Sequence, residues 1–189
     1  MMKLQRMAAL LCALSATPVL ADSIDINLHD KAIRGTYTMQ LQNTKGLSGE
    51  AGVLYTEDRF NNSDTLLHVG LLVSGENWSK SGTFDISMGA RMVYASLDPF
   101  DMAAVAFGGR LRFSPVPRLG IGGHAYFSPE ITSFLDSESF QEVGVRVDYQ
   151  LLPQAFVYVG YRNIKVDFGA PGNWEEMDDE AHVGFKMTF

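Results

Sequence analysis

The chain has 189 residues, of which 46% are hydrophobic and 20% charged, and its formal net charge is -7. This length suits one domain rather than two large ones, and the apolar content excludes a disordered chain. The acidic balance argues against a surface that binds nucleic acid.

The first 21 residues have the pattern of a secretory signal peptide. Lys3 and Arg6 form a positive amino-terminal region, residues 7–14 form a short apolar core, and Ala21 precedes the predicted cleavage site. The apolar core is shorter than the roughly 20 residues that a helix needs to cross a bilayer. We therefore expect residues 1–21 to be removed and residues 22–189 to form the mature domain. That domain has no disulfide, because Cys12 is the single cysteine.

After residue 21, apolar and polar residues alternate along most of the chain. In the first such segment Ile24, Ile26 and Leu28 alternate with polar residues, and in the last Val183 and Phe185 do so. A period of two is typical of β-strands with one apolar face. In chain order, the predicted strands are 23–29, 32–41, 47–57, 64–75, 82–97, 102–114, 118–128, 140–151, 155–168 and 180–189.

The polar faces of these strands distinguish two architectures. In a soluble sandwich the polar face meets water, whereas in a transmembrane barrel the apolar face meets lipid and the polar face lines the lumen. A water-facing surface would carry many Lys and Glu residues, but these faces carry mainly Gly, Ser, Thr and Gln with a few charges. We predict an all-β, antiparallel transmembrane β-barrel of ten strands, or of eight if residues 22–41 pack elsewhere.

Aromatic residues at the strand ends support the barrel. If the last strand ends in the periplasm, aromatic residues of apolar parity fall at both ends of the wall, where rings settle at the level of the lipid headgroups. The predicted periplasmic girdle contains Phe113, Tyr149 and Phe189, and the predicted outer girdle contains Tyr55, Tyr94, Phe127 and Tyr161. The periplasmic connections are short and the outer ones longer, with the polar connection 76–81 as the exception.

Several sequence blocks carry a family resemblance. They are DSIDINL at 22–28, LGIGGHAYFSP at 119–129, VRVDYQLL at 145–152, VYVGYR at 157–162 and HVGFKMTF at 182–189. On these blocks the chain resembles the YfaZ family of outer-membrane proteins over essentially all of its mature length. The resemblance implies a small barrel in the outer membrane of a Gram-negative-type bacterium, and it supplies no catalytic residues. The terminal Phe189 also resembles the signal that the outer-membrane assembly machinery reads.

Charged residues of polar parity predict a charged lumen. A barrel of this size is narrow enough for side chains to fill, and a buried charge must be paired or hydrated. The favoured interpretation is a largely plugged, salt-bridged lumen with a structural or surface-interaction role. The alternative is a minor channel for small solutes or ions. The network contains Arg34, Glu50, Asp85, Arg91, Arg110, Arg112, Glu142, Arg146, Asp148 and Lys186, with Asp25 on the same parity.

The four histidines also share the polar parity. Imidazoles at one level of the lumen could bind a transition metal, but histidine also suits a lumen simply as a moderately polar residue. No close metal-binding spacing links His29, His68, His124 and His182, so no metal or other cofactor is predicted.

A further alternative is a hydrolase of outer-leaflet lipid A or of peptides, built from His124, Ser128 and Glu142. A spacing of four residues along a strand separates His124 from Ser128 by roughly 13 Å. A nucleophile and its base must be within hydrogen-bond reach. The prediction is therefore a protein that is not an enzyme.

The acidic run 175–180 is interpreted as a solvated loop, with divalent-cation binding beside lipopolysaccharide as the alternative. The expected partners of the whole barrel are outer-membrane lipid, lipopolysaccharide and the assembly machinery. We expect a monomer.

Overall fold

The computed structural model describes residues 22–41, 44, 46–57, 63–79, 82–97, 100–169 and 174–189. The predicted signal peptide lies outside these described residues, so its removal stays a prediction. Within the described ranges, no helix has the length and apolar character needed to cross a membrane.

The described residues form eleven strands and one turn of 3-10 helix, Glu130–Thr132. Most strands show the predicted alternation of apolar and polar residues. The strands are β1 (Ser23–Leu28), β2 (Ala32–Gln40), β3 (Leu47–Glu57), β4 (Ser63–Ser79), β5 (Gly82–Leu97), β6 (Phe100–Val116), β7 (Leu119–Ser128), β8 (Ser133–Leu135), β9 (Ser139–Leu152), β10 (Ala155–Asp167) and β11 (Trp174–Thr188).

Ten of these strands form a closed antiparallel barrel. Each long strand pairs with the next long strand along the chain, and β1 pairs with β11 to close the ring. The three-residue β8 pairs with β6 and stands outside this ring of ten. The prediction of ten strands is confirmed, because residues 23–40 are part of the wall as β1 and β2.

The apolar rows face outward, as predicted. Val145 and Phe185 are exposed on the outer surface, whereas Glu142 and Asp148, on the same strand as Val145, are buried inside. Apolar side chains therefore form the outer wall of a barrel that hydrogen-bonds all of its edges internally, which is what a lipid environment demands.

Two strand boundaries differ from the prediction by more than two residues. The last strand begins at Trp174 rather than at residue 180, because the acidic stretch pairs with β10 as far as Asp167, with a register shift at Ile164 and Lys165. Likewise β4 continues to Ser79, where it pairs with Gly82. Polar side chains at a barrel rim can meet water while their backbone extends the ladder, so polarity alone did not mark the strand ends.

Both ends of the described chain lie at the same end of the barrel, where Ser23 pairs with Thr188. We call this the terminal end, and the opposite end, where β7 is connected to β9 through the 3-10 helix and β8, the loop end. Short turns at one end and longer loops at the other are typical of outer-membrane barrels, in which the short turns face the periplasm.

Candidate functional site: the barrel lumen

The inward row of side chains changes character along the strands. On β5, Asp85 and Arg91 lie towards the terminal end, and Ala95 lies towards the loop end. On β3, Glu50 is followed by Leu54 in the same way. The lumen therefore has a charged terminal half and an apolar loop half.

Buried apolar side chains fill the loop half and pack against one another. We call this group the loop-end cluster. Phe168 packs against it from the end of β10. The cluster contains Leu54, Leu66, Val93, Ala95, Leu97, Met102, Ala104, Phe140, Ile164, Val166 and Met177.

Strand alternation alone does not predict the loop-end cluster. A signal for it exists, because apolar residues occupy the polar parity near the loop end of several strands. Leu54 stands between Val53 and Tyr55, and Leu66 precedes Leu67, so both faces are apolar at these points. Such runs are typical of strands that are buried on both faces.

Below this cluster, the carboxylate of Glu142 joins three cationic or polar groups. Arg34 Nη1 lies 2.7 Å from Glu142 Oε1, Arg91 donates to Oε2, and His124 Nε2 lies 3.0 Å from Oε1. Glu142 is completely buried. The Arg91 guanidinium also lies over the Tyr126 ring, 3.6 Å from its centroid. Two arginines share one carboxylate here, so this layer retains positive charge.

A second buried pair lies beside this layer. Arg162 donates from Nε to Asp178 Oδ2 at 2.8 Å and from Nη1 to Asn27 Oδ1 at 2.9 Å. The predicted charge network contains neither Arg162 nor Asp178. Asp178 was assigned to a loop, whereas Arg162 could have been found, because it shares the parity of Tyr158 and Gly160 on β10.

The remaining arginines of the predicted network form pairs nearer the terminal end. Arg110 Nη2 lies 2.9 Å from Glu50 Oε2, and Arg146 Nη1 lies 3.1 Å from Asp25 Oδ2. These two guanidinium groups therefore each engage a separate carboxylate.

Arg112 holds Asp148 with two nitrogens, Nε at 2.9 Å from Oδ1 and Nη2 at 2.6 Å from Oδ2. Its Nη1 atom lies 3.5 Å from Asp85 Oδ2. Lys186 differs from all of these arginines, because no carboxylate among the described residues lies within ion-pair distance of it.

A cavity of about 630 Å³ occupies the charged half and extends to the Glu142 layer. No member of the loop-end cluster is among the described lining residues, so the cavity ends where the apolar packing begins. The described lining has seven cations and four carboxylates: Arg34, Arg91, Arg110, Arg112, Arg146, Arg162 and Lys186 against Asp25, Glu50, Asp85 and Glu142.

Glycines of the inward row make room for rings from neighbouring strands. A β-carbon at Gly144 would meet the His124 ring, and one at Gly52 would meet the His68 ring. On β11, a β-carbon at Gly184 would meet the Tyr158 ring. The abundance of glycine on the polar parity therefore reflects close packing inside a narrow barrel.

The four histidines point inward but have different partners. His124 bonds to Glu142, His29 Nε2 lies 3.3 Å from Asp178 Oδ1, and the His182 ring lies edge-on to Tyr158. His68 is buried, and its Nδ1 atom has no hydrogen-bond partner among the described residues. In the part of the chain that is described, no three His, Cys, Asp or Glu side chains are placed to hold a metal ion.

The arrangement needed for a hydrolase is not formed by Ser128. Its hydroxyl lies 3.0 Å from both the Thr132 and Ser133 hydroxyls. His124 bonds instead to Glu142, deep in the lumen. The nucleophile and base of the hydrolase alternative are thus engaged with different partners.

The acidic run is not a loop, and this expectation was wrong. Its residues lie on β11, where Met177 and Asp178 are buried and Glu176 Oε1 accepts from Lys165 at 2.7 Å. Asp179 accepts from Asn163 at 2.7 Å and from the Tyr161 hydroxyl, and these hydrogen bonds lower its pKa. Strand alternation separates the carboxylates to opposite faces, so they do not converge on one cation.

The predicted girdle residues lie on the outer surface near the two ends of the wall. Tyr149 and Phe189 are exposed at the terminal end, and Phe113 stacks on Phe84 with ring centroids 4.4 Å apart. The loop-end group, Tyr55, Tyr94, Phe127 and Tyr161, is likewise exposed. Their contact with lipid headgroups stays a prediction.

A closed barrel with an apolar outer belt and a charged interior is an outer-membrane β-barrel of the porin-like class. The YfaZ precursor family model matches residues 1–189. The chain therefore belongs to the YfaZ family, as its sequence blocks predicted.

Several solved outer-membrane proteins resemble the chain. The outer membrane channel DcaP of Acinetobacter baumannii is 20% identical with a TM-score of 0.41, over 93% of this chain and 56% of DcaP, so the chain spans little more than half of that protein's length. The KdgM porin is 13% identical with a TM-score of 0.49, over 90% of this chain and 99% of KdgM. The NanC porin is 11% identical with a TM-score of 0.46, over 90% and 99%. No curated protein matches the chain.

Proposed function

We propose that the chain is an outer-membrane channel for small anionic solutes whose pathway is closed at the loop end in the conformation described. The observation that carries this proposal is the cavity of about 630 Å³ in the terminal half, with seven cations and four carboxylates in its described lining. Cavities of this volume accommodate small molecules. Arginine and lysine rings in a pore favour anions over cations.

The loop-end cluster is the candidate gate of this channel. Fully buried side chains such as Leu66 and Phe140 pack together between the charged half and the loop end, and no member of the cluster is among the described lining residues of the cavity. Apolar constrictions close pores by excluding water, and they conduct when they widen enough to be wetted. Conduction therefore requires the cluster to separate.

A closed barrel with a structural or surface-interaction role is the second candidate function. The tight packing of the loop-end cluster and the shared carboxylate of Glu142 favour it, because both hold strands together across the lumen. In this case the cavity would be a water-filled end of a permanently sealed barrel.

Conductance in planar lipid bilayers separates the two candidates. We expect the wild-type protein to open in defined steps in a KCl gradient, with a reversal potential that shows preference for chloride. Arg110→Ala and Arg112→Ala should each reduce that preference, because each removes a cation from the cavity wall. Lys165→Met is the matched control, because Lys165 pairs with Glu176 outside the lumen and is absent from the cavity lining.

A variant of the candidate gate makes the same test independent of how often the wild type opens. Phe140→Ala should increase the open fraction, whereas Phe107→Ala, on the outer face of β6, should not. If neither the wild type nor Phe140→Ala conducts, the channel function is rejected and the closed-barrel function is supported.

We also propose that the barrel is a monomer, held by its girdles among lipid and lipopolysaccharide and assembled through its last strand. Phe189 is exposed on the outer face, and its backbone N–H donates to the Asp22 carbonyl at 2.9 Å. Deletion of Phe189 should reduce the yield of heat-modifiable barrel in membranes. Equal yields with and without this residue would contradict the assembly role.

A further inference from the structure

Lys186 is the cation of the lumen whose charge is not matched by a carboxylate. Its neighbour across the β1–β11 ladder is Asp25. The Asp25 carboxylate is already engaged, because Arg146 Nη1 lies 3.1 Å from Oδ2 and the Tyr158 hydroxyl donates to Oδ1. The acid nearest to Lys186 in the ladder therefore serves two other groups.

The charged side chains that act most strongly on Lys186 are three arginines and one aspartate. Arg146, Arg110 and Arg112 all repel its ammonium group electrostatically, and Asp25 is the attractive charge among its main neighbours. All four cations line the same cavity. Like charges brought together in a partly desolvated space raise the free energy of the folded state unless an anion balances them.

The arginines beside Lys186 keep part of their surface towards the cavity. The exposed fraction of the side chain is 36% for Arg110, 26% for Arg112 and 29% for Arg146. Each is oriented by at least one carboxylate, and Arg112 also donates from Nη1 to Ser114 Oγ at 2.8 Å, so the guanidinium planes are fixed while part of each side chain still faces the cavity. Guanidinium forks match the oxygens of carboxylates and phosphates, and a lysine adds a compact charge that can approach the same oxygens.

We propose that this group forms a binding site for the oxyanion of a small solute, a carboxylate or a phosphate, with Lys186 as its central cation and Arg110, Arg112 and Arg146 around it. The site opens to the terminal end, because the loop-end cluster closes the other end of the lumen. This proposal deepens the proposed function and rests on the same cavity. It adds a specific binding step that a simple anion-preferring pore would not require.

Calorimetric titration of the folded protein in detergent tests the site without requiring conduction. The probes are D-glucuronate and glucose 6-phosphate, with D-glucose as the uncharged match of the same ring. We expect at least one of the charged probes to bind saturably and glucose not to bind. Binding by the carboxylate alone, the phosphate alone or both identifies which oxyanion the site accepts, and each of these supports it.

Lys186→Met should weaken binding of the charged probe by at least tenfold, and Lys186→Arg should keep it within about threefold of the wild type. Lys165→Met, which removes a lysine outside the lumen, should leave binding unchanged. The Lys186→Met barrel should also unfold at a denaturant concentration no lower than the wild type, because the substitution breaks no ion pair among the described residues and relieves repulsion. If Lys186 had only a structural role, its replacement by Met would lower both the affinity for the probe and the denaturant concentration of unfolding.

The site would be overturned if neither charged probe binds, if glucose binds as well as they do, or if Lys186→Met binds like the wild type. Failure of the proposed function has a different signature. If the protein binds glucuronate through Lys186 but never conducts, the binding site is supported and the channel is rejected. If the protein conducts but Lys186→Met binds like the wild type, the channel is supported and the binding site is rejected.

Discussion

The two halves of the lumen differ in how their inward-facing side chains are packed. In the loop half, Leu66 and Phe140 are completely buried against other apolar groups, as in the core of a soluble protein. In the terminal half, Arg110 and Arg112 are held by carboxylates yet keep part of their surface towards a cavity. The same ten strands form both halves, so the barrel wall does not determine whether its interior is packed or open.

The boundary between the halves lies at the Glu142 layer. There the interior is packed, as in the loop half, but charged, as in the terminal half. Arg34 and Arg91 are buried away from water at this level, and both pair with the carboxylate of Glu142. Variants that act on one half and spare the other can therefore test the division.

Glu142→Gln should have the largest effect on stability. It leaves Arg34 and Arg91 buried without their common carboxylate, and breaking a buried ion pair by removing one partner costs about 3–5 kcal/mol. The measurement is the urea concentration at which the heat-modifiable, folded form is half lost. Glu130→Gln is the control, because Glu130 is exposed on the 3-10 helix. Equal midpoints for the two variants would show that the layer does not hold the barrel together.

Phe140→Ala should have an effect of similar or slightly smaller size. Truncating a buried Phe costs about 3–5 kcal/mol, because apolar contacts are lost and a cavity remains, although water that enters from the neighbouring charged half would reduce the cost. Phe107→Ala, on the lipid-facing side of β6, should cost less when the barrel is in vesicles. Equal losses for the two variants would mean that the loop half is not a packed core.

The fold could be predicted because membrane barrels impose a simple rule on sequence. One row of each strand must be apolar, and this row is visible wherever Val143, Val145 and Val147 alternate with polar residues. Strand number followed from counting such rows. The extension of β11 to Trp174 could not be predicted in this way, because outside the bilayer neither face needs to be apolar.

The lumen could be predicted only in part. Its charged residues were identified by parity, but their pairing depends on which strands face each other across the barrel. Glu142 and Arg91 are 51 residues apart and lie on strands that are not neighbours in the wall. Uniform alternation does not predict the loop-end cluster, because the inward row of β5 changes from polar at Ser87 to apolar at Val93.

Gly144→Ala should have a smaller effect than either variant above. The added β-carbon would meet the His124 ring, which itself bonds to Glu142, so the ring has to shift and the cost should be about 1–3 kcal/mol. Gly35→Ala is the control, because nothing lies within 4 Å of a β-carbon there. That variant should be neutral or stabilise the barrel by about 0.5–1 kcal/mol, since glycine weakens a strand. If the unfolding midpoints of both variants change in the same direction, the close packing of the His124 ring on Gly144 is contradicted.

Lys165→Met should have the smallest effect, and its size tests whether only the interior pairs matter. Lys165 and Glu176 join the same two strands as Arg162 and Asp178, but on the outer side beyond Tyr161, with Lys165 Nζ 2.7 Å from Oε1. The hydrogen bond to Glu176 raises the pKa of Lys165, so any contribution of the pair to stability is present at neutral pH and is lost as the pH rises through that raised pKa.

Exposed ion pairs contribute little to stability and are screened by salt, whereas buried pairs are screened much less. We therefore expect the unfolding midpoint of Lys165→Met to match the wild type in 0.5 M NaCl and to differ at most slightly in low salt, while Arg162→Met unfolds much more easily in both. A loss for Lys165→Met that persists in high salt would show that the outer rim, and not the lumen alone, stabilises the closed ring.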